Sequence, residues 1–236
     1  MTAEFRETLD LLKQSSSASV ATILFTRGLR RAAMLGPRLL TRAQGVMVGE
    51  AFTVRTIPSR EDIDQLAAFD GRERLQAKAF DTCPQGNVFV VDCRGETFGA
   101  FGGAIFLSRL AARGAAGMVS DGPVRDVAEA AQLDLPVFAA GTSPPPSLVR
   151  HHVVEINVPV ACGRVAVYPG DIVVGDADGV VVIPRHLAQE VASAALEQER
   201  YDGFALEQIR AGNPVFGTYP PDEATRARYA EWLKKK

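Results

Sequence analysis

Arg125 and Asp126 stand side by side in the stretch Gly114-Ala-Ala-Gly-Met-Val-Ser-Asp-Gly-Pro-Val-Arg-Asp-Val-Ala-Glu129. A guanidinium grips a carboxylate with two parallel hydrogen bonds, a geometry that lysine lacks. A neighbouring carboxylate offers a hard oxygen to Mg²⁺ or Mn²⁺, ions that keep several waters and need only one or two protein carboxylates. Glu129 follows one helical turn after Asp126, so both acids can share a face. Upstream, Gly102-Gly103 precedes a helical stretch, where bare backbone and the free N–H groups of a first turn favour an anion. A carboxylate held between that turn and Arg125 would leave an adjacent carbonyl oxygen facing the metal. A structural role suits the same residues: acids in a first turn complement the helix dipole, Arg125 can pair with them, and two glycines permit close helix–sheet packing.

These residues meet only if the chain between them folds in a particular way. The 22 residues from Gly103 to Arg125 fit one helix and one strand between parallel neighbours. Asn87–Asp92 reads as a buried strand, Ala104–Arg113 as a helix, Gly117–Ser120 as a short strand, Val124–Leu133 as a short helix and Pro136–Ala139 as another strand. That alternation predicts an α/β layer, with Asp121-Gly122-Pro123 as the turn where a strand end meets a helix start. Before it, helices are expected over Glu4–Lys13 and Val20–Met34, two strand pieces joined near Gly49 within Gly45–Pro58, and helical material from a cap at Ser59 toward Phe80. After the stiff triple proline at Pro144–Pro146 come four short β-rich pieces from Val153 to Pro184, a mixed meander. Helices follow over Leu187–Tyr201, Ala205–Ala211 and Glu223–Leu233. The organisation is one domain over 1–236, with a helical extension over 1–44, an α/β core over 45–184 and a second extension over 185–236.

Composition narrows the function classes. In 236 residues, 26 basic and 28 acidic side chains leave a net charge of −2, which gives no general steering toward nucleic acid or anionic membrane. No stretch reaches the ~20 apolar residues of a bilayer span, and the charged N-terminus has no signal-peptide core, so the expected compartment is the cytoplasm. Cys83, Cys93 and Cys162 lack metal or disulfide spacing and are expected as buried thiols. Asp176-Ala-Asp178-Gly179 suits a polar hairpin turn, and His151-His152 suits a surface or subunit contact. The lysines, Lys13, Lys78 and Lys234–Lys236, include no evident Schiff-base former. Phosphate-loop, serine-elbow and zinc-protease motifs are absent.

Four blocks in order carry a family resemblance: Gly102-Gly103, Gly117–Glu129, Val167-Tyr-Pro-Gly-Asp171 and Gly175-Asp-Ala-Asp-Gly-Val-Val-Val-Ile-Pro184. Over roughly residues 45–199 the chain resembles the RraA-like family, which holds class II 4-hydroxy-4-methyl-2-oxoglutarate aldolases, oxaloacetate decarboxylases and regulators of ribonuclease activity. The resemblance implies a β/β/α sandwich of the swivelling phosphohistidine-domain type, assembled as a homotrimer or a hexamer of two trimers, with sites between subunits. It implies that Arg125 holds the pyruvyl carboxylate and oxygen, that Asp126 binds Mg²⁺, and that the loop Gly102, Gly103, Ala104, Ile105, Phe106 offers backbone N–H groups to the same anion. A glutamate of the neighbouring subunit would face the metal through water; Glu197 and Glu199 are the candidates. Asp121 and Glu129 are candidate supporting acids. One position departs from the pattern: the related enzymes usually carry an acid 21 residues before the arginine, where this chain has Ala104. Asp92 and Asp121 are candidate substitutes for it.

The expected activity is therefore divalent-metal-dependent carbon–carbon cleavage, aldol or decarboxylating, of a small 2-oxo acid bearing a second carboxylate or a hydroxylated carbon. Charge developing on the enolate oxygen in the transition state would be met by the cation. Ala104 tilts the reading toward decarboxylation or an altered reaction. The alternatives are a non-catalytic regulator of a ribonuclease or other enzyme, and a dehydratase-like enzyme for a sugar acid.

Overall fold

Val88–Asp92 is buried at every residue, as its Val-Phe-Val-Val run requires of a strand covered on both faces. The computed structural model, which describes residues 2–42, 45–65 and 74–235, places this strand near the centre of an eight-stranded mixed sheet. In chain order the elements are α1 (Ala3–Leu12), α2 (Ser17–Thr26), β1 (Arg38–Leu39), β2 (Met47–Pro58), α3 (Leu75–Thr82), β3 (Val88–Asp92), α4 (Ala104–Ala112), β4 (Gly117–Val124), α5 (Val127–Ala130) and β5 (Val137–Thr142). Then come β6 (His151–Ile156), β7 (Val160–Cys162), β8 (Val165–Val167), β9 (Ile172–Asp176), β10 (Gly179–Ile183), α6 (Ala188–Arg210) and α7 (Glu223–Leu233).

The sheet runs β1-β5-β4-β3-β2-β9-β10, with β6 paired to the far half of β2. Strands β2, β3, β4 and β5 are mutually parallel, and the remaining pairings are antiparallel. The two edges nearly meet. Residues just before β1 reach across to β10, where Val182 N–H donates to the Ala32 carbonyl and Met34 N–H to that of Val180. The result is a mixed α/β fold around a nearly closed, barrel-like sheet.

Alternation along β3 divides its burial between two clusters. Phe89 and Val91 pack with Phe80, Phe101, Leu107 and Leu110, under α3 and α4. Val88 and Val90 pack with Met47, Phe138 and the separate β7–β8 hairpin. A third cluster joins the flanking helices: Leu9 and Leu12 of α1, with Val20 and Leu24 of α2, meet Val191, Ala192 and Ala195 of α6 over Ile172, Val174 and Val181. Cys83, Cys93 and Cys162 are free and buried, as expected. Among the described residues no helix is long and apolar enough to cross a membrane.

Several boundaries differ from the sequence reading for identifiable reasons. Strand β2 runs unbroken through Gly49, because that glycine serves close approach: a Cβ there would lie 2.5 Å from the Gly86 carbonyl oxygen. Helix α2 ends at Thr26, before Gly28 in the left-handed region, and residues 32–34 spend their backbone groups on β10. Strand β4 continues through the expected turn at Asp121-Gly122-Pro123 by a register shift between Ser120 and Pro123, which shortens α5 to one turn. The two helices expected over Leu187–Tyr201 and Ala205–Ala211 are one 23-residue helix, α6. Of the helix expected from Ser59 to Phe80, α3 is present, the segment after Ser59 is a turn in which Arg60 N–H bonds Asp64 Oδ2, and residues 66–73 lie outside the described residues.

Candidate active site

Arg125 and Asp126 follow the carboxyl end of β4, and Gly102 and Gly103 lie between β3 and α4, so the parallel order brings the two pairs to one end of the sheet. Backbone bonds fix their register. Phe101 N–H donates to the Pro123 carbonyl at 2.9 Å, and Arg125 N–H to that of Gly102 at 3.0 Å. Asp126 then turns left-handed, with φ 57° and ψ 44°, a conformation that aspartate and asparagine tolerate better than other side chains. It is therefore the residue before α5 rather than part of a helical turn shared with Glu129, and the expected common face is replaced by a carboxylate turned back toward Gly103. Ala104 N–H donates to Asp126 Oδ2 at 3.2 Å. Arg125 Nε lies 3.7 Å from the same oxygen. A Cβ on Gly103 would sit 2.2 Å from Asp126 Oδ2 and 2.9 Å from Arg125 Cγ, so only glycine leaves room for this arrangement.

Both charged side chains are about two-fifths exposed. Asp126 Oδ1 and the Arg125 Nη groups take no hydrogen bond among the described residues. They adjoin a cleft of about 460 Å³ whose walls include Arg74, Gln76, Gly102, Gly103, Phe106 and Arg125, with Ser147–Val149 opposite α4. Phe106 is held by stacking on Phe80, ring centres 4.5 Å apart. Ile105 points away into solvent. No lysine lines the cleft among the described residues, and Lys78 is exposed on α3.

A larger cleft of about 910 Å³ lies at the amino ends of the same strands, beside α1, with Arg6, Lys13, Glu50 and Arg185 among its walls. Two of its cations are already paired, Lys13 with Asp10 and Arg185 with Glu50. The carboxyl-end cleft is smaller, but Arg125 in its wall has open donors and Asp126 beside it an open carboxylate oxygen, so it is the better place for chemistry.

The remaining expected acids are committed elsewhere. Asp121 is buried and accepts from the N–H groups of Cys93, Gly95 and Gly163, at 2.6, 3.2 and 3.3 Å. Burial pushes its carboxyl above the usual range, while those backbone donors pull it back. Asp92 accepts from Arg94 and Ala161 N–H groups. Neither acid replaces the carboxylate missing at Ala104. Glu129 is exposed on α5. Within its own chain Glu197 accepts from the Tyr229 hydroxyl at 3.0 Å, and Glu199 accepts Ser16 N–H at 2.7 Å at the start of α2. Asp176, in the expected hairpin turn, anchors the same helix start through Ser17. His151, expected at the surface or in a subunit contact, is buried within its own chain with Nε2 2.8 Å from the Gly99 carbonyl, and burial lowers its pKa. His152 Nδ1 meets Asp64 Oδ1 at 2.5 Å.

Sequence reasoning missed Arg74, Gln76 and Asp64 as neighbours of the site, since no local spacing announces them. Among the described residues no group of three or more His, Cys, Asp or Glu could hold a metal ion. The donor set nevertheless fits a largely hydrated hard cation: one exposed carboxylate with a free oxygen, beside bare glycine backbone.

A family model described as Aldolase/RraA, of the RraA-like family, matches residues 17–182. A Halalkalibacterium halodurans protein named "Putative 4-hydroxy-4-methyl-2-oxoglutarate aldolase" is 37% identical over 149 residues, covering 63% of this chain and 69% of its own. The crystal structure of Streptomyces coelicolor RraAS2, described as an unusual member of the RNase ES inhibitor RraA protein family, superposes with a TM-score of 0.74 at 32% identity, over 84% of this chain and 95% of its own. A protein from Pseudomonas syringae pv. tomato superposes at 0.77 with 25% identity, over 91% and 97% of the two chains.

Proposed function

Because this chain belongs to the RraA-like family, we propose that it is a carbon–carbon lyase acting on a small 2-oxo acid at the carboxyl-end cleft. One observation carries the reading: the left-handed turn at Asp126 sets a half-exposed guanidinium and a half-open carboxylate together against the bare backbone of Gly103. In this reading Arg125 holds the substrate carboxylate through its unoccupied Nη pair, and bidentate pairing fixes the oxo group in one orientation. The Gly102-Gly103 turn lets the substrate approach the backbone, and Phe106 bounds the cleft on its apolar side. Asp126 would hold Mg²⁺ or Mn²⁺, and such a cation supplies electrostatic stabilisation of negative charge developing on the 2-oxo oxygen. The similarity to a named aldolase supports carbon–carbon cleavage, and Ala104 favours decarboxylation, which needs no base at a C4 hydroxyl.

The proposal extends to a homotrimer or a pair of trimers with sites between subunits, which light scattering would measure. For the fold it includes a β/β/α sandwich of the swivelling phosphohistidine-domain type, supported by helices α3 and α4 on one face of the sheet and the β7–β8 hairpin on the other. The second reading, a regulator that inhibits a ribonuclease, is favoured by Ala104 and by the likeness to RraAS2.

The deciding experiment measures decarboxylation of oxaloacetate and cleavage of 4-hydroxy-2-oxo acids with and without Mg²⁺ or Mn²⁺, against Arg125→Ala and Asp126→Asn. Loss of at least 100-fold in both variants supports the lyase. Turnover no faster than the free metal, or undiminished in both variants, overturns it. In the same assay Ala104→Asp should raise aldol cleavage.

A further inference from the structure

We propose that the cleft of about 910 Å³ at the amino ends of the strands binds a small amphipathic carboxylate, an anion carried on an apolar body, with Arg6 as its charged contact. The site is independent of the lyase reading, which concerns the opposite end of the sheet. Its floor is where the four parallel strands begin: Met47 opens β2, Asn87 precedes β3, Ala116 precedes β4 and Pro136 precedes β5. Its side wall is α1 and the residue that caps it. Arg6, Leu9, Asp10 and Lys13 follow one another at helical spacing, so they share one face and turn it to the cleft. The size suits a small molecule, since ligand clefts run from about 300 to 1,000 Å³.

The polar groups of these walls are unequally occupied. Asp10 accepts from Lys13 Nζ at 2.9 Å, and Glu50 from Arg185 Nη1 at 2.5 Å. Arg185 is held further by the Gly170 carbonyl and by the Phe5 ring, whose centre lies 4.2 Å from the guanidinium carbon. Backbone donors along the rim are spent as well: Gly86 N–H goes to the Gly114 carbonyl, Asn87 N–H to that of Pro84, and Ala116 N–H to that of Asn87. Among the described residues the Arg6 guanidinium and the side-chain amides of Gln85 and Asn87 stay open. Arg6, Lys13 and Arg185 outnumber Asp10 and Glu50, and the excess positive charge is the one without a partner. Glu7, next to Arg6 in sequence, lines an adjoining groove instead. Between these polar groups lie Met47 and Val48, both buried, with Leu9 and Pro136. A bare anion would leave that apolar surface unused, and a purely apolar molecule would leave Arg6 unpaired. A carboxylate on a ring or branched chain engages both, and the guanidinium fork matches its two oxygens.

The test is calorimetric titration of the full chain with 3-phenylpropionate, its neutral amide, and propionate. The acid should bind more tightly than its amide on the order of 10-fold, the lower range of one charge-assisted hydrogen bond. It should exceed propionate by at least about 10-fold, from burial of the ring. Arg6→Gln should bring acid and amide to near-equal affinity, and Arg6→Lys, which keeps charge without the fork, should leave an intermediate preference. Both variants should melt like the wild type, because Arg6 is exposed. Arg125→Ala, in the other cleft, should leave the affinity for 3-phenylpropionate unchanged. Equal wild-type affinity for acid and amide, no binding at millimolar probe, a preference retained in Arg6→Gln, or binding lost in Arg125→Ala overturns the proposal. Oxaloacetate turnover, measured separately, reports on the lyase reading: binding without turnover leaves this site as assigned and removes the lyase, and turnover without binding does the reverse.

Discussion

Replacing Gly103 with alanine tests the site by one methyl group. The new Cβ would fall 2.2 Å from Asp126 Oδ2 and 2.9 Å from Arg125 Cγ, distances that neither contact can keep. The backbone at Gly103, φ −133° and ψ −167°, is extended and suits alanine, so no conformational strain confuses the result. The Asp126 carboxylate must move, and its bond from Ala104 N–H must lengthen or break. A hydrogen bond to a charged group contributes about 1.5–3 kcal/mol. At ~1.4 kcal/mol per factor of ten, that is roughly a 10- to 100-fold loss in kcat/KM, and a displacement near 1 Å of a positioning group costs about 100-fold by itself. Because Asp126 is 42% exposed and can swing into water, the melting transition should shift by the equivalent of about 1 kcal/mol or less. The assays are oxaloacetate turnover, Mn²⁺ titration by electron paramagnetic resonance, and thermal unfolding. Wild-type turnover together with wild-type Mn²⁺ affinity would refute the claim that the position of Asp126 matters.

Three further outcomes follow from described contacts. Asp126→Asn should keep the left-handed turn and the fold while losing Mn²⁺ binding, whereas Asp126→Ala should also cost ~1–2 kcal/mol of stability for the same φ; urea unfolding separates the two. Asp121→Ala should destabilise by about 3 kcal/mol in the same measurement, since three backbone N–H groups lose their acceptor with no substrate involved. Burial pushes the Glu199 carboxyl up, but hydrogen bonds from Ser16 and Ser19 outweigh it and leave the pKa below its ordinary value. Its charge therefore stabilises the fold above the unfolded pKa and loses that effect as pH falls through the lower folded value. Glu199→Gln should cost no more than about 1 kcal/mol at pH 7, discounted for solvent screening, with the difference vanishing on acidification below the ordinary glutamate range.

What the sequence discloses here tracks the range of the interaction. Helix α7 has the expected bounds because its signal is local: Asp222 caps Thr225 N–H at 2.7 Å. The meeting of Gly103 with Arg125 was readable from one helix and one strand of intervening chain, since a βαβ unit permits little else. The left-handed Asp126 was not, because the bond from Ala104 N–H that holds it, and the Gly102 carbonyl that holds Arg125 before it, lie far back in the chain. Asp121 misled for the same reason. As part of a turn motif it resembled a supporting acid, whereas its partners lie 28, 26 and 42 residues away. The two helices expected over Leu187–Tyr201 and Ala205–Ala211 show the converse error. Between them Gly203 lies on an exposed face of α6, where an added Cβ would meet nothing, and the neighbouring turns carry the helix through it.

The shared layer of α1, α2 and α6 has a consequence for how the chain can change. Residues near opposite ends of the polypeptide interlock over the β9–β10 ribbon, with Glu199 and Asp176 gripping the first turn of α2. Trimming either flank would therefore strand the greasy side of the other, so a cut into α1 or α2 and a cut into α6 should loosen the same layer.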